Sequence, residues 1–408
     1  MIVSKAPCGM QYAVRKAGGA VAFCALSIRV GTRDEGLYPA GIAHFVEHTL
    51  FKGTDRRGAA SINNCLERLG GELNAFTTKE EIVLHATVLQ KDLPKALDLL
   101  LEIAFRASFP EEDIEVEKGV VLDEIASYED SPSEDIYDKF EQKLFGSHPL
   151  SRLILGTQQS VQEISVQQLR SFRSRFFVPG RMALSVVSPM DEEQCRRLVL
   201  RRLSSISAIQ EEPEMQAAVP APLCAPFDVV LHKDNHQVNE VLGGFAPCVS
   251  EEKDRLATIL LCNILGGPAS NSILNATLRE KHGWVYNVEC FYTPYRDSGV
   301  VAIAFGCDRH NLRRCESAVR RAVRALQEKE LSPAALKAAK RQLLGQNAIG
   351  LENGEAQCLS MGKSLLSWGC IPVDGELERK VEQISAAQLQ HLCREILDPE
   401  RLSRMVYD

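Results

Sequence analysis

Several signals are missing from this 408-residue chain, and each absence narrows what it can be. No run of about 18 apolar residues occurs, so a membrane span is not expected. A net positive charge is also missing. Lys and Arg number 47 against 54 Asp and Glu, and the net charge of −7 argues against a nucleic-acid binder. The amino terminus, MIVSKAPCGMQYAVRK, has no charged stretch leading into an apolar one. The later apolar segment AVAFCALSIRV runs straight into Gly31-Thr32-Arg33-Asp34-Glu35 without a small-residue cleavage site, and reads as a buried strand. The 13 cysteines are odd in number, scattered and never spaced C-x-x-C, which excludes a disulfide framework or a thiolate metal site. Cys24, Cys262, Cys290 and Cys307 sit in apolar runs as small core residues, and the compartment expected is reducing and cytoplasmic.

What is present is the composition of a globular protein, 45% hydrophobic and 25% charged. The length calls for more than one core. Between Ser204 and Phe227 the stretch SSISAIQEEPEMQAAVPAPLCAPF carries four prolines among small and acidic residues, as a linker does. It divides the chain into a domain over 1–210, a linker over 211–226 and a domain over 227–408. Each half repeats the order β-β-α-α-β-β-α-α, with proline opening the last helix of each, at Pro110 and Pro333. The fold class expected is α+β, with two homologous domains that each pack helices on one face of an antiparallel sheet. Superposing Pro110 on Pro333 sets Glu117 against Lys340 and Glu124 against Asn347. The copies therefore differ in their chemistry.

That chemistry centres on Ala43-His44-Phe45-Val46-Glu47-His48-Thr49. In a helix, Ile42, Phe45, Val46, Thr49 and Leu50 form one apolar stripe, and His44, Glu47 and His48 lie together on the other side. Two imidazoles at i and i+4 can converge on one Zn²⁺, and a carboxylate between them can reach a metal-bound water. Zinc lowers that water's pKa toward about 7, and a glutamate can take its proton during attack on a carbonyl. Chance would produce H-x-x-E-H in a chain this long about one time in a hundred, so the motif favours a metal site over an ordinary amphipathic helix. A third ligand is required. His85, on the alternating strand IVLHATVL, reads better as a satisfied strand histidine. The acidic helix after Pro110 offers nine carboxylates between Glu111 and Asp130. Glu117 and Glu124 share one face there with Val120 and Val121 between them, and composition does not choose among the acids.

H-x-x-E-H is an inverted zinc-peptidase motif. The surrounding VGTRDEGLYPAGIAHFVEHTLFKGT, with LERLGGELNAFTTKEE, EVEKGVVLDEI, FFVPGRMALSVV and LREKHGWVYNVECFYTPYRDSG, closely resembles the pitrilysin/insulinase metallopeptidases, especially their mitochondrial-processing-peptidase-like, half-length branch. The resemblance extends over nearly the whole chain. It implies zinc ligation by His44, His48 and Glu124, one Zn²⁺ per chain, Glu47 as general base, and Glu117 as an acid supporting the site from outside the ligand set. It also implies that Arg279 and Tyr286, the R-x6-Y pair of the second half, contact substrate and stabilise the oxyanion. The segment around Asn74 and Ala75 corresponds to the sheet edge to which a peptide substrate adds as a strand. The activity implied is endopeptidase cleavage of peptides or unfolded polypeptides inside a closed chamber. The assembly implied is a clamshell homodimer in which each second domain completes its partner's site. A heterodimer with a related subunit, or a non-catalytic partner role, is the alternative. His282 and Trp284 depart from the residues frequent in relatives and bear on substrate preference.

Overall fold

The computed structural model describes residues 1–207, 225–233 and 236–408. The linker expected over 211–226 therefore lies outside the described residues except for its last two positions. The described chain forms two compact units.

The first unit is built on a six-stranded sheet of β1 (Ile2–Lys5), β2 (Gln11–Lys16), β3 (Val21–Ile28), β4 (Glu72–Thr77), β5 (Ile82–Leu89) and β6 (Met182–Ser188), in the order β1-β2-β6-β3-β5-β4. All neighbours run antiparallel except β2 and β6. β6 is buried along its whole length because it lies inside the sheet with both faces covered. The larger helical layer includes Leu93–Arg106, which turns Leu93, Ala96, Leu97, Leu100 and Ile103 inward with the apolar side of β3 and β5. Each fully buried leucine of this layer contributes roughly 2 kcal/mol of apolar transfer free energy.

In the second unit β7 (Asp228–Leu231), β8 (Val238–Phe245), β9 (Val285–Pro294), β10 (Gly299–Cys307) and β11 (Ser403–Tyr407) pair in the order β7-β11-β8-β10-β9. Setting β2–β6 on β7–β11 reproduces the order of the first sheet, including its one parallel pair, β7 with β11. The duplication read from the sequence is thus a repeated topology, with β1 as an added edge strand. Helices Glu252–Gly266, Leu312–Glu328 and Ala386–Ile396 bury Leu260, Cys315, Val319 and Leu392 in this unit's larger core.

The units are not the contiguous halves 1–210 and 227–408. Residues 127–151 belong to the second unit and 349–372 to the first. Each exchanged segment supplies one helix to the sheet face left open by the main helical layer, so the single helical face expected from the sequence has a counterpart on the other side. Helix Gly354–Trp368 lays Cys358, Met361 and Leu365 on Ala25, Val83 and Val187 of the first sheet. Its Gly362 sits so close that an added Cβ would fall 2.5 Å from Ser27 Oγ. Helix Pro132–Phe145 does the same in the second unit, setting Ile136, Phe140 and Phe145 against Val241, Ala302 and Met405. The described cysteines are all free thiols, and Cys24, Cys262, Cys290 and Cys307 are core residues. Among the described residues no helix is long and apolar enough to cross a membrane.

Candidate metal centre

The motif folds as helix Ile42–Thr49, which starts from Gly41 at φ 85° and continues into a short 3₁₀ turn over Leu50–Lys52. Ile42, Phe45, Val46, Thr49 and Leu50 have no exposed surface, as the helical stripe requires. On the opposite face His44 is 6% and Glu47 9% exposed, while His48 is half-buried.

The helix Glu111–Glu129 supplies the other groups. Glu124 Oε2 lies 3.4 Å from His48 Nε2 and 3.8 Å from His44 Nε2. One ligand atom from each of the three residues lies within 4.8 Å of the others, forming a group that could hold a metal ion. Tetrahedral bonds of about 2.1 Å put ligand atoms about 3.4 Å apart, so a zinc ion fits this set with one position left open. Burial, helped by the neighbouring His48, lowers the His44 pKa to about 3 and leaves the ring neutral, the form that binds metal. His48 Nδ1 lies 2.9 Å from Glu117 Oε1, and the other Glu117 oxygen pairs with the Lys52 ammonium. A carboxylate on the far nitrogen of a ligating histidine fixes the tautomer and raises the basicity of the ring. The apolar patch expected between the two acids splits: Val121 is buried and Val120 is 47% exposed.

Glu47, between the histidines, accepts a hydrogen bond from Thr77 Oγ1 at 3.2 Å. Burial raises its pKa; His48 and the Thr77 hydroxyl pull it down, and Glu124 pushes it up. Thr77 ends β4, the terminal strand of its sheet, so the edge strand and the carboxylate meet. Asn74 and Ala75 lie on β4, opposite His85 and Leu84 of β5. His85 stays outside the cluster, with Nδ1 2.9 Å from Glu355 Oε1. Sequence reasoning did not single out Thr77 or Lys52. Thr77 lies in the quoted ELNAFTTKEE and Lys52 five residues past Glu47, but only packing shows what they touch.

Arg279 and Tyr286 belong to the second unit. Arg279 lies on the π-helical segment Asn275–Lys281 and pairs with Glu280 at 2.9 Å. Tyr286, on β9, is 89% exposed. Both line a cleft of about 840 Å³ with Tyr137, Asn239 and Asn287. The second unit repeats the topology, and among the described residues the metal group does not recur in it. Lys340, set against Glu117, is buried and donates to the Glu382 carbonyl at 2.6 Å, while Asn347, set against Glu124, is exposed.

Two histidines and a glutamate converging beside a buried carboxylate, within a duplicated α+β fold, define a zinc-protease-like class of protein. A family model described as insulinase (peptidase family M16) matches residues 12–158, and one described as peptidase M16 inactive domain matches residues 163–343. An uncharacterized zinc protease of Mycobacterium leprae is 31% identical over 373 residues, covering 91% of this chain and 83% of that protein. The uncharacterized zinc protease YmxG of Bacillus subtilis is 27% identical over 369 residues, covering 90% and 88%. A crystal structure of a protease from Helicobacter pylori superposes with a TM-score of 0.92 at 20% identity, covering 100% of this chain and 99% of the other. That of a peptidase M16 inactive domain from Pseudomonas fluorescens gives 0.90 at 17%, covering 100% and 97%. The chain belongs to the M16 (insulinase) family of peptidases.

Proposed function

We propose that this protein is a zinc-dependent endopeptidase acting on peptides and unfolded polypeptides. The observation that carries the reading is the meeting of His44, His48 and Glu124 beside Glu47 and the end of an edge strand. Zinc held by the three ligands would act as a Lewis acid toward water and the scissile carbonyl. Glu47 takes the proton of the attacking water and passes it to the leaving amine. Thr77 holds the Glu47 carboxylate in place, and Glu117 holds the His48 ring. The outer edge of β4 offers backbone donors and acceptors to an extended peptide at Asn74 and Ala75, a recognition mode that reads main chain and tolerates varied side chains. Arg279 and Tyr286 are assigned as donors to the oxyanion of the tetrahedral intermediate. Cytoplasmic location and pairing of two copies as a clamshell homodimer around a chamber belong to the same proposal, and solution mass with and without peptide tests the pairing.

The deciding experiment combines metal analysis with digestion of a peptide library. About one zinc per chain and cleavage of unfolded peptides are expected, with Glu47→Gln keeping the metal and losing hydrolysis by at least about a thousandfold. A zinc-loaded wild type that cleaves nothing in the library would refute the catalytic reading and leave a non-catalytic partner role.

A further inference from the structure

Glu35, seven residues before the motif helix, has no exposed surface and no part in the proposed chemistry. Its Oε1 accepts from the Ala43 N–H at 3.2 Å, and the Gly41 N–H faces the same carboxylate. These belong to the opening turn of the motif helix, whose N–H groups have no intrahelical partner and whose N-cap glycine has no side chain to offer. Glu35 Oε2 accepts from Arg152 Nη1 at 3.1 Å. The same guanidinium donates to the Tyr38 carbonyl at 3.2 Å and to the Gly36 carbonyl. It thereby gathers the loop between Glu35 and the helix. The residues that follow Arg152 hold the other end of that loop. Ser160 Oγ donates to the Ala40 carbonyl at 2.7 Å, and a Cβ on Gly41 would lie 2.6 Å from the Leu155 carbonyl. Burial raises the Glu35 pKa to about 8, and the Ala43, Arg152 and Gly41 donors oppose the rise.

We infer that the pair of buried Glu35 and half-buried Arg152, with the strap 152–160, is a positioning device for the metal-binding helix. It sets the angle at which the helix leaves Gly41, and so where the imidazoles of His44 and His48 point. The helix is eight residues long, too short to be stable by itself, so its direction is imposed from outside. His44 directly follows Ala43, whose N–H Glu35 holds, so a shift at the cap is transmitted to a ligand with little attenuation. Glu35 and Arg152 are positioning residues, and the inference rests on the zinc-peptidase reading.

The test is zinc affinity, measured by competition with a chromophoric chelator, together with the visible spectrum of the Co²⁺-substituted protein. Glu35→Gln keeps the side-chain shape but replaces one of the two accepting oxygens, on the Ala43 N–H or on Arg152 Nη1, with an amide group that can only donate. Its zinc Kd is expected to rise about 10- to 100-fold, the range seen when support of a metal ligand is lost, with a shifted cobalt spectrum. The double variant Glu35→Gln/Arg152→Gln removes both ionisable groups and so leaves no guanidinium facing a changed partner. It should unfold close to the wild-type temperature and yet show the same loss of affinity. A folded variant with a zinc Kd within twofold of wild type and an unchanged cobalt spectrum overturns the inference. Loss of the whole fold in both variants assigns the pair to general stability and also overturns it. A wild type that binds no zinc overturns the zinc-peptidase reading itself, whereas wild-type binding with unchanged variant affinity overturns only the positioning role.

Discussion

Replacing Glu117 by glutamine tests how much of the centre's metal affinity comes from outside the ligand set. Glu117 is 5% exposed, with one oxygen 2.9 Å from His48 Nδ1 and the other on the Lys52 ammonium. Glutamine keeps the volume and can still accept from His48 through its carbonyl, but without a charge, and its NH2 cannot accept from the Lys52 ammonium. A hydrogen bond to a charged group contributes about 1.5–3 kcal/mol, against about 1 kcal/mol for a neutral one, so about 1–2 kcal/mol of support is lost at His48. The Lys52 side chain is 30% exposed and returns its charge to water at little further cost. At about 1.4 kcal/mol per tenfold, the zinc Kd should rise about 5- to 30-fold. Competition titration against a chelator at fixed pH measures this, with thermal unfolding of the metal-free protein as a control for general damage. An unchanged Kd in a folded variant would refute the assignment. A loss as large as that of Glu124→Gln would show that Glu117 is itself a ligand.

Other perturbations separate chemistry from folding. Thr77→Val removes the hydroxyl that donates to Glu47 and should lower kcat about tenfold or more with zinc content unchanged, since the charge-assisted bond contributes about 1.5–3 kcal/mol; steady-state kinetics on a cleaved peptide, with metal analysis, checks it. Gly41→Ala puts a methyl 2.6 Å from the Leu155 carbonyl at a φ of 85°; at about 1–3 kcal/mol of backbone strain before the clash, it should lower both the unfolding temperature and the bound zinc. Burial and the neighbouring Glu316 raise the Glu240 pKa from 4.5 to about 8, while Arg404 opposes the rise. A carboxyl raised in this way binds more protons folded than unfolded, so its contribution to stability falls as pH rises between those values and is level on either side. Glu240→Gln should flatten that slope in unfolding temperatures measured across the range; an unchanged slope would show that Glu240 does not titrate there.

Much of this protein is legible residue by residue. The i, i+3, i+4 spacing separates a core stripe from a chemical face on the motif helix, and the structure buries that stripe completely. Proline at the start of two helices and the recurring order of elements reveal the duplication, because local periodicity reports an element's type wherever the element later packs. Periodicity does not report partners. Nine carboxylates lie between Glu111 and Asp130, and sequence pattern alone could not choose Glu124 over its neighbours. The choice comes from the resemblance and, independently, from the distances to His44 and His48.

The elements, their recurring order and the chemical types gathered in the motif can all be read along the chain, since each follows from local spacing. Long-range packing settles which unit the segments 127–151 and 349–372 join, because a helix with one apolar side can cover any open sheet face. It also places Thr77 against Glu47, Lys52 against Glu117, and Glu35 with Arg152 at the start of the motif helix. Those contacts join residues from about 30 to more than 100 positions apart, or, for Lys52, depend on where the acidic helix lands. Hydrogen bonds of a few ångströms are set by the packing of whole layers, and no local pattern encodes them.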